Sequence, residues 1–306
     1  MSSASKTVNP VAIFVGGTSG IGQGMAEALN RDTKGRAHIV LVGRNREAAE
    51  VIIKDMKAAV EPSSDNGGSY SFVECDVSLL SHVKPCAAQL RAQYPKIDFL
   101  ILTAGFMSPS RDAQTPEGLD KKLAIQYYAR WAFIETLIPS LRAAGSGKVL
   151  TVFGAGNGEA VDVEDFGFVK RTGPVAKAGA TYNDLMCESF ALRNPGVTLA
   201  HANPGGVRTN LLRSSPSLLL RAMQYTLPLM TPFTHSQDEC AAYMWSGLRA
   251  AKPEAGSAGV LGAWRFGSKG QDLRKHAHYG TKEEREALWR HTAKVVGLGG
   301  EGETVS

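Results

Sequence analysis

The chain has 306 residues, 43% hydrophobic and 21% charged, which suits one large α/β domain and leaves no room for two independent catalytic domains. Its net charge of +5 is modest and the basic residues are scattered, without a Lys/Arg block or an interleaved aromatic stripe, so a nucleic-acid role has little support. Residues 1–9 are polar, no run of eighteen apolar residues occurs, and Cys75, Cys86, Cys187 and Cys240 show neither C-x-x-C nor metal-site spacing; secretion, a membrane span and a bound metal are not indicated, and a cytoplasmic location with reduced thiols is expected.

Val11 to Val15 reads as a first strand, and Gln23 to Leu29 as the helix that follows. Between them lies Gly16-x-x-x-Gly20-Ile21-Gly22, with Thr18 and Ser19 on the same loop. A side chain at the first glycine would obstruct the tight turn, and the second lets backbone approach a pyrophosphate. The third allows close helix–strand packing, with the helix N-terminus facing the anion. The alternative is a purely structural βα turn. His38 to Val42 has the unbroken apolar character of a buried second strand, and Gly43-Arg44-Asn45 stands at its carboxyl end.

A helix from about Arg46 to Val60, a turn-rich loop over Pro62 to Gly68 and a third strand, Ser71 to Glu74, come next, closed by Asp76-Val77. The fourth strand is Phe99 to Leu102, followed by Thr103-Ala104-Gly105, and the fifth is Val149 to Phe153. A sixth, Thr198 to Ala202, ends at Pro204-Gly205. This alternation predicts a Rossmann-type, doubly wound parallel sheet in a single domain over 10–297, with residues 1–9 and 298–306 disordered. From Leu211 to about 235 the chain turns Leu- and Met-rich, as a lid over a bulky apolar ligand would, although a core role or a peripheral membrane contact fits the same composition. Ser236-x-x-Glu239 and Thr281-x-x-Glu284 read as capping boxes, the second opening an amphipathic helix to about Val296.

From about Val11 to Thr209 these residues resemble the short-chain dehydrogenase/reductase family, with a weaker echo to Gly267. The three glycines match its T-G-x-x-x-G-x-G loop with Val15 in place of threonine. Asp76-Val77 resembles its adenine-side D-V, and Thr103-Ala104-Gly105 its N-A-G. Pro204-Gly205-x-Val207-x-Thr209 resembles the P-G-x-V-x-T that caps the nicotinamide; the phrasing around it is most like divergent fungal members. The resemblance implies a dinucleotide cofactor and a hydrophobic small-molecule substrate, with a place in secondary metabolism. It also implies homodimerisation through the helices after strands four and five, which Lys121, Lys122 and Arg130 would oppose. At the end of strand two, a carboxylate would repel a 2′-phosphate and a guanidinium would favour it. Gly43 holds the acid's place and Arg44 comes next, so NADP(H) is expected.

The family's proton-transfer residues are missing. Phe153-Gly154-Ala155-Gly156 stands where its serine should follow strand five. Counting back from Pro204 puts its tyrosine near Pro174 to Ala176 and its lysine near Ala178 to Ala180. Lys177 misses the lysine position by one residue, which turns it about 100° on a helix. Tyr182 stands about two helical turns too near Pro204 and reads as a packing residue, and its position plus four is Met186. The family's asparagine maps near Gln126, which is otherwise an ordinary helix-surface residue, and Arg130 on the same helix could orient a substrate carbonyl but is expected to snorkel to solvent. The catalytic candidates are therefore Asp165, Lys177, Gln126 and Tyr182, Asp165 either as a desolvated acid or as part of a solvated loop with Asp162 and Glu164. Three functions follow: an NADP(H)-dependent reductase with an unusual proton donor, a non-redox isomerase or cyclase, and a catalytically silent NADP(H)-binding protein.

Overall fold

The computed structural model describes residues 9–60, 67–106, 114–169, 175–208 and 234–297. The apolar runs identified in the sequence form β1 (Val11–Val15), β2 (His38–Gly43), β4 (Phe99–Leu102) and β6 (Thr198–Ala202). β3 (Ser69–Glu74) begins two residues earlier than predicted, because β2 supplies ladder partners from His38 onward and Tyr70 donates a 2.7 Å hydrogen bond to Asn30 Oδ1. β5 is Lys148–Val152, one residue earlier than expected, and a short seventh strand, β7 (Ala263–Phe266), was not predicted.

All seven strands are parallel, in the order β3-β2-β1-β4-β5-β6-β7. The chain winds outward from β1 to β3 and returns to β4 on the other side of β1, so the connections leaving the carboxyl ends of β1 and β4 run in opposite directions and leave a crevice. Side chains alternate along the central strands and both faces are buried. Ala12, Phe14, Ile39 and Leu41 pack with α1 (Gly20–Thr33), α2 (Arg46–Ala58) and a later helix, Gln237–Ala250. Ile13, Val15, Val40 and Val42 face α3 (Leu80–Gln93) and the helices after β4 and β5.

The segment after β4 is a short α4 (Lys121–Leu123), a π turn (Ala124–Tyr128) and α5 (Ala129–Ala143). After β5 comes α6 (Val175–Arg193), buried without a break from Ala178 to Ala191, as expected of a helix covered all round. Gln237–Ala250 is α7 and Lys282–Val296 is α8; both open with the capping boxes expected at Ser236 and Thr281. α8 lies over α5 and α6, with the Trp289 ring 5.1 Å from Trp131 and 4.9 Å from Phe190. Tyr127 and Thr292 hydroxyls meet at 2.7 Å, and Tyr128 Oη lies 2.8 Å from His291 Nε2. Among the described residues no helix is long and apolar enough to cross a membrane. The expected disordered ends and nearly all of the apolar lid (211–235) lie outside the described residues.

Candidate active site

The crevice holds a cavity of about 650 Å³. Gly16, Thr18, Ser19, Gly20 and Ile21 from the glycine loop line it, as do Gly43, Arg44 and Asn45 from β2, Asp76 and Val77 from β3, and Thr103, Ala104 and Gly105 from β4. Cys75, Phe106, Lys121 and Ile125 line it too, and these were not anticipated. Gly16 adopts φ +89°, donates its N–H to Val42 O at 2.8 Å, and has no room for a side chain: a Cβ would lie 2.6 Å from Ala104 N. Gly22 does not line the cavity. It packs behind the loop, where a Cβ would overlap the Gly16 carbonyl and the Thr103 hydroxyl.

At the β2 end, Arg46 is engaged by Glu74 at 3.4 Å and lies over the Phe72 ring, while Arg44 lines the cavity. Asn45 Oδ1 accepts the Ala48 N–H at 2.9 Å as the N-cap of α2, so that oxygen is already committed. Asp76 Oδ1 accepts from the Ser78 backbone at 3.0 Å and its hydroxyl at 2.8 Å. Burial works to raise the Asp76 carboxyl, but the Ser78 hydrogen bonds and the charges of Arg44 and Lys121 outweigh it and hold the group below the ordinary value. Pro204, Gly205 and Val207 stand beyond β6 and do not line this cavity; Gly205 N donates to Asn203 Oδ1 at 3.0 Å, and Val207 bridges to His235. Thr209 lies outside the described residues.

The catalytic candidates occupy different surroundings. Gln126 is 8% exposed, not a surface residue, and its Nε2 donates to Phe106 O at 3.2 Å beside the cavity. Lys177 is exposed in the first turn of α6 and does not line the cavity. Tyr182 is 1% exposed, its ring 5.3 Å from Tyr127 and 6.0 Å from Phe166, the packing role foreseen for it. Asp165 departs from the solvated-loop reading: it is 7% exposed, and its Oδ1 accepts the Val169 N–H at 2.8 Å. At the positions where the sequence reading expects the family's hydroxyl and ammonium, a Cβ added to Gly154 would sit 3.4 Å from the Ala180 methyl.

Two polar networks escaped the sequence reading. Arg130 does not snorkel: it is 3% exposed, its Nη2 donates to Ala104 O at 2.9 Å, its Nη1 contacts the Thr151 hydroxyl, and its guanidinium lies over the Phe153 ring at 5.6 Å. The Thr151 hydroxyl donates to Asn183 Oδ1 at 2.7 Å, and Asn183 Nδ2 donates to the carbonyls of Gln126 at 2.9 Å and Gly179 at 2.8 Å. Asn183 thus engages a carbonyl within the π turn. Burial pushes the Arg130 guanidinium down to about 9, which leaves it a cation at neutral pH.

In the second network His201 Nδ1 lies 2.6 Å from Asp184 Oδ1, and His201 Nε2 accepts the Gly154 N–H at 3.0 Å. Asp184 Oδ2 also lies 2.9 Å from Arg265 Nε, an ion-pair contact too bent to be a hydrogen bond. An acceptor at Nε2 places the proton on Nδ1, so the imidazole is neutral. The pair resembles a general base, but its outer nitrogen is spent on Gly154 and both side chains are buried, so it braces the loop after β5 against β6.

Burial lowers the His201 pKa against the opposing pull of Asp184, and burial lowers that of His291 as well. An unfolded chain then binds protons that the folded chain refuses, so stability falls as the pH drops below about 6.5, by up to about 1.4 kcal/mol per pH unit for each histidine until its folded pKa is reached. Urea unfolding of the wild type and His201→Gln at pH 7.5, 6.0 and 5.0 checks this. A shallower loss is expected in the variant, and parallel losses would refute it.

A profile of the short chain dehydrogenase family matches residues 10–163. The chain is 32% identical over 230 residues to an oxidoreductase of Emericella nidulans, spanning 74% of this chain and 67% of that one. It is 28% identical over 311 residues to an oxidoreductase of Emericella variicolor, spanning 92% and 90%. Among solved structures, an alcohol dehydrogenase of the archaeon Thermococcus sibiricus complexed with 5-hydroxy-NADP superposes with a TM-score of 0.59 at 19% identity, covering 86% of this chain and 97% of that chain.

Proposed function

The chain belongs to the short-chain dehydrogenase family and is an oxidoreductase of it, and from that premise we propose that it is an NADP(H)-dependent reductase of a hydrophobic small molecule in secondary metabolism, acting in the cytoplasm. The observation that carries the cofactor reading is the gathering of the glycine loop, Arg44, Asp76-Val77 and Thr103-Ala104-Gly105 on one cavity. That cavity fits a dinucleotide: Gly16 and Gly20 leave backbone at its wall, the α1 N-terminus opens onto it, and Arg44 supplies a cation at its β2 end. When bound, the dinucleotide supplies the hydride. The Leu- and Met-rich stretch from Leu211 supports an apolar substrate.

Arg44→Ala is expected to weaken NADPH binding by about 1–3 kcal/mol, roughly tenfold to a hundredfold, and to leave NADH binding unchanged. Equal NADPH affinity in the variant, measured by titration of cofactor fluorescence, would move the 2′-phosphate contact away from Arg44.

For the proton we propose Asp165, whose carboxyl is buried on the segment between β5 and α6. Lys177, on an exposed turn, and Gln126, beside the cavity, stand behind it. Asp165→Asn is expected to slow turnover on the order of a hundredfold, while Tyr182→Phe keeps substantial activity because its ring does the packing. Stopped-flow oxidation of NADPH with hydrophobic ketones, enones and imines tests the function itself.

That Gly154 and Ala180 carry neither a hydroxyl nor an ammonium supports a second reading, a non-redox isomerase or cyclase, or a silent NADP(H)-binding protein. Product formed without NADPH consumption would support the first of these, and binding without any turnover the last. Homodimerisation through α5 and α6 would require α8 to leave the aromatic face it covers, so any homodimer is proposed to use another surface.

A further inference from the structure

Arg130 poses an energetic problem that its hydrogen bonds do not solve. A buried cation is costly unless an anion compensates it. Among the described residues the two acids of α6 are already committed: Asp184 to His201 and Arg265, and Glu188 to His278 at 2.6 Å and Arg285 at 2.8 Å. Among the described residues Arg130 is left with neutral partners, the Ala104 carbonyl, the Thr151 hydroxyl and the Phe153 ring, and its Nε has none. A network built only to brace β4 against β5 would hold as well with a neutral amide there. The positive charge itself therefore needs a reason.

Its position supplies one. The guanidinium grips Ala104 from behind, and Ala104 with Gly105 forms the β4 wall of the cavity, opposite the Arg44 and Asp76 end. A fixed charge in a site shielded from water acts over several ångströms. The two redox forms of a nicotinamide differ by one positive charge on the ring, which only the oxidised form carries.

Resting on the cofactor reading above, we propose that Arg130 is a specificity-determining residue: a fixed cation behind Ala104 that makes the protein bind NADPH in preference to NADP⁺. It contributes charge where the family's lysine is absent, from another helix and without reaching the substrate.

The test is the ratio of the Kd for NADP⁺ to the Kd for NADPH, measured by calorimetry on the full chain without substrate. The wild type is expected to favour NADPH. Arg130→Met and Arg130→Gln, the second retaining N–H donors for Ala104 and Thr151, are each expected to lower the ratio about tenfold, the size of one unit charge acting at intermediate dielectric. Arg130→Lys should keep the ratio even where both affinities fall. A brace without an electrostatic role would weaken both dinucleotides alike, and an unchanged ratio in Arg130→Gln would overturn the proposal. Should Arg130→Met fail to fold, Arg130→Gln against Arg130→Lys decides the same question. Wild-type protein that binds neither dinucleotide would overturn the cofactor reading and this inference with it, whereas tight binding with a ratio indifferent to residue 130 would overturn this inference alone.

Discussion

Gly16→Val is expected to abolish measurable dinucleotide binding. The residue sits at φ +89°, where a β-branched side chain is strained, and even its first carbon would lie 2.6 Å from Ala104 N and 2.8 Å from Ala104 Cα. Those are backbone atoms of the loop that walls the cavity, so relief requires the glycine loop and the Thr103-Ala104-Gly105 loop to part. The folding cost is that of overpacking, about 1–3 kcal/mol. The binding cost is larger, because both loops that wall the crevice are displaced at once. NADPH titration of folded variant protein, with folding verified by circular dichroism, checks this; affinity within about tenfold of wild type would mean that the dinucleotide does not use this loop.

Asp184→Asn is expected to remove about 3–5 kcal/mol of stability, the range for leaving one partner of a buried ion pair uncompensated. Arg265 is 3% exposed, and its remaining partners are the carbonyls of Arg274, His276 and Ala277 at 2.9–3.1 Å, which bear no full negative charge. His201 loses its carboxylate as well, although an amide oxygen can still accept from Nδ1. Urea unfolding measures the loss. Adding Arg265→Met should recover much of it, because the unpaired charge is then gone; a loss under about 1 kcal/mol in Asp184→Asn, or no recovery in the double variant, would show that the pair is not what holds β7 to α6.

These two residues also mark the limits of what could be read from the chain. Gly16 was legible because its requirement is local: a turn between an apolar strand and a helix. Arg265 was not. A short segment of Ala-Trp-Arg-Phe holds a charged residue that argues against burial, and the carboxylate of Asp184 on α6, with the carbonyls of Arg274, His276 and Ala277, makes a buried arginine tenable on this edge strand. Arg130 was misread for the same reason. On a helix after β4 an arginine is ordinarily a surface residue, and nothing nearby in sequence announces that Ala104 O and Thr151 will receive it. Asn45 shows a second role that was not read, since this residue after β2 both lines the cavity and caps α2.

What the sequence by itself determined is the parallel α/β architecture and the candidate dinucleotide cavity at the crevice. Unbroken apolar runs bury on both faces of a sheet, and the glycine loop, Arg44, Asp76-Val77 and Thr103-Ala104-Gly105 follow strand ends that topology brings to one edge. Gly154 and Ala180, where the sequence reading expects the family's hydroxyl and ammonium, can supply neither wherever they lie. What only the tertiary structure decided is which polar residues are inside: Arg130, Asn183, Asp184, His201 and Arg265. The physical reason is that a buried charge or amide is stable only with partners, and those partners come from β4, β5, the π turn, α6 and the segment after β7, a coincidence in space that no periodicity along the chain encodes.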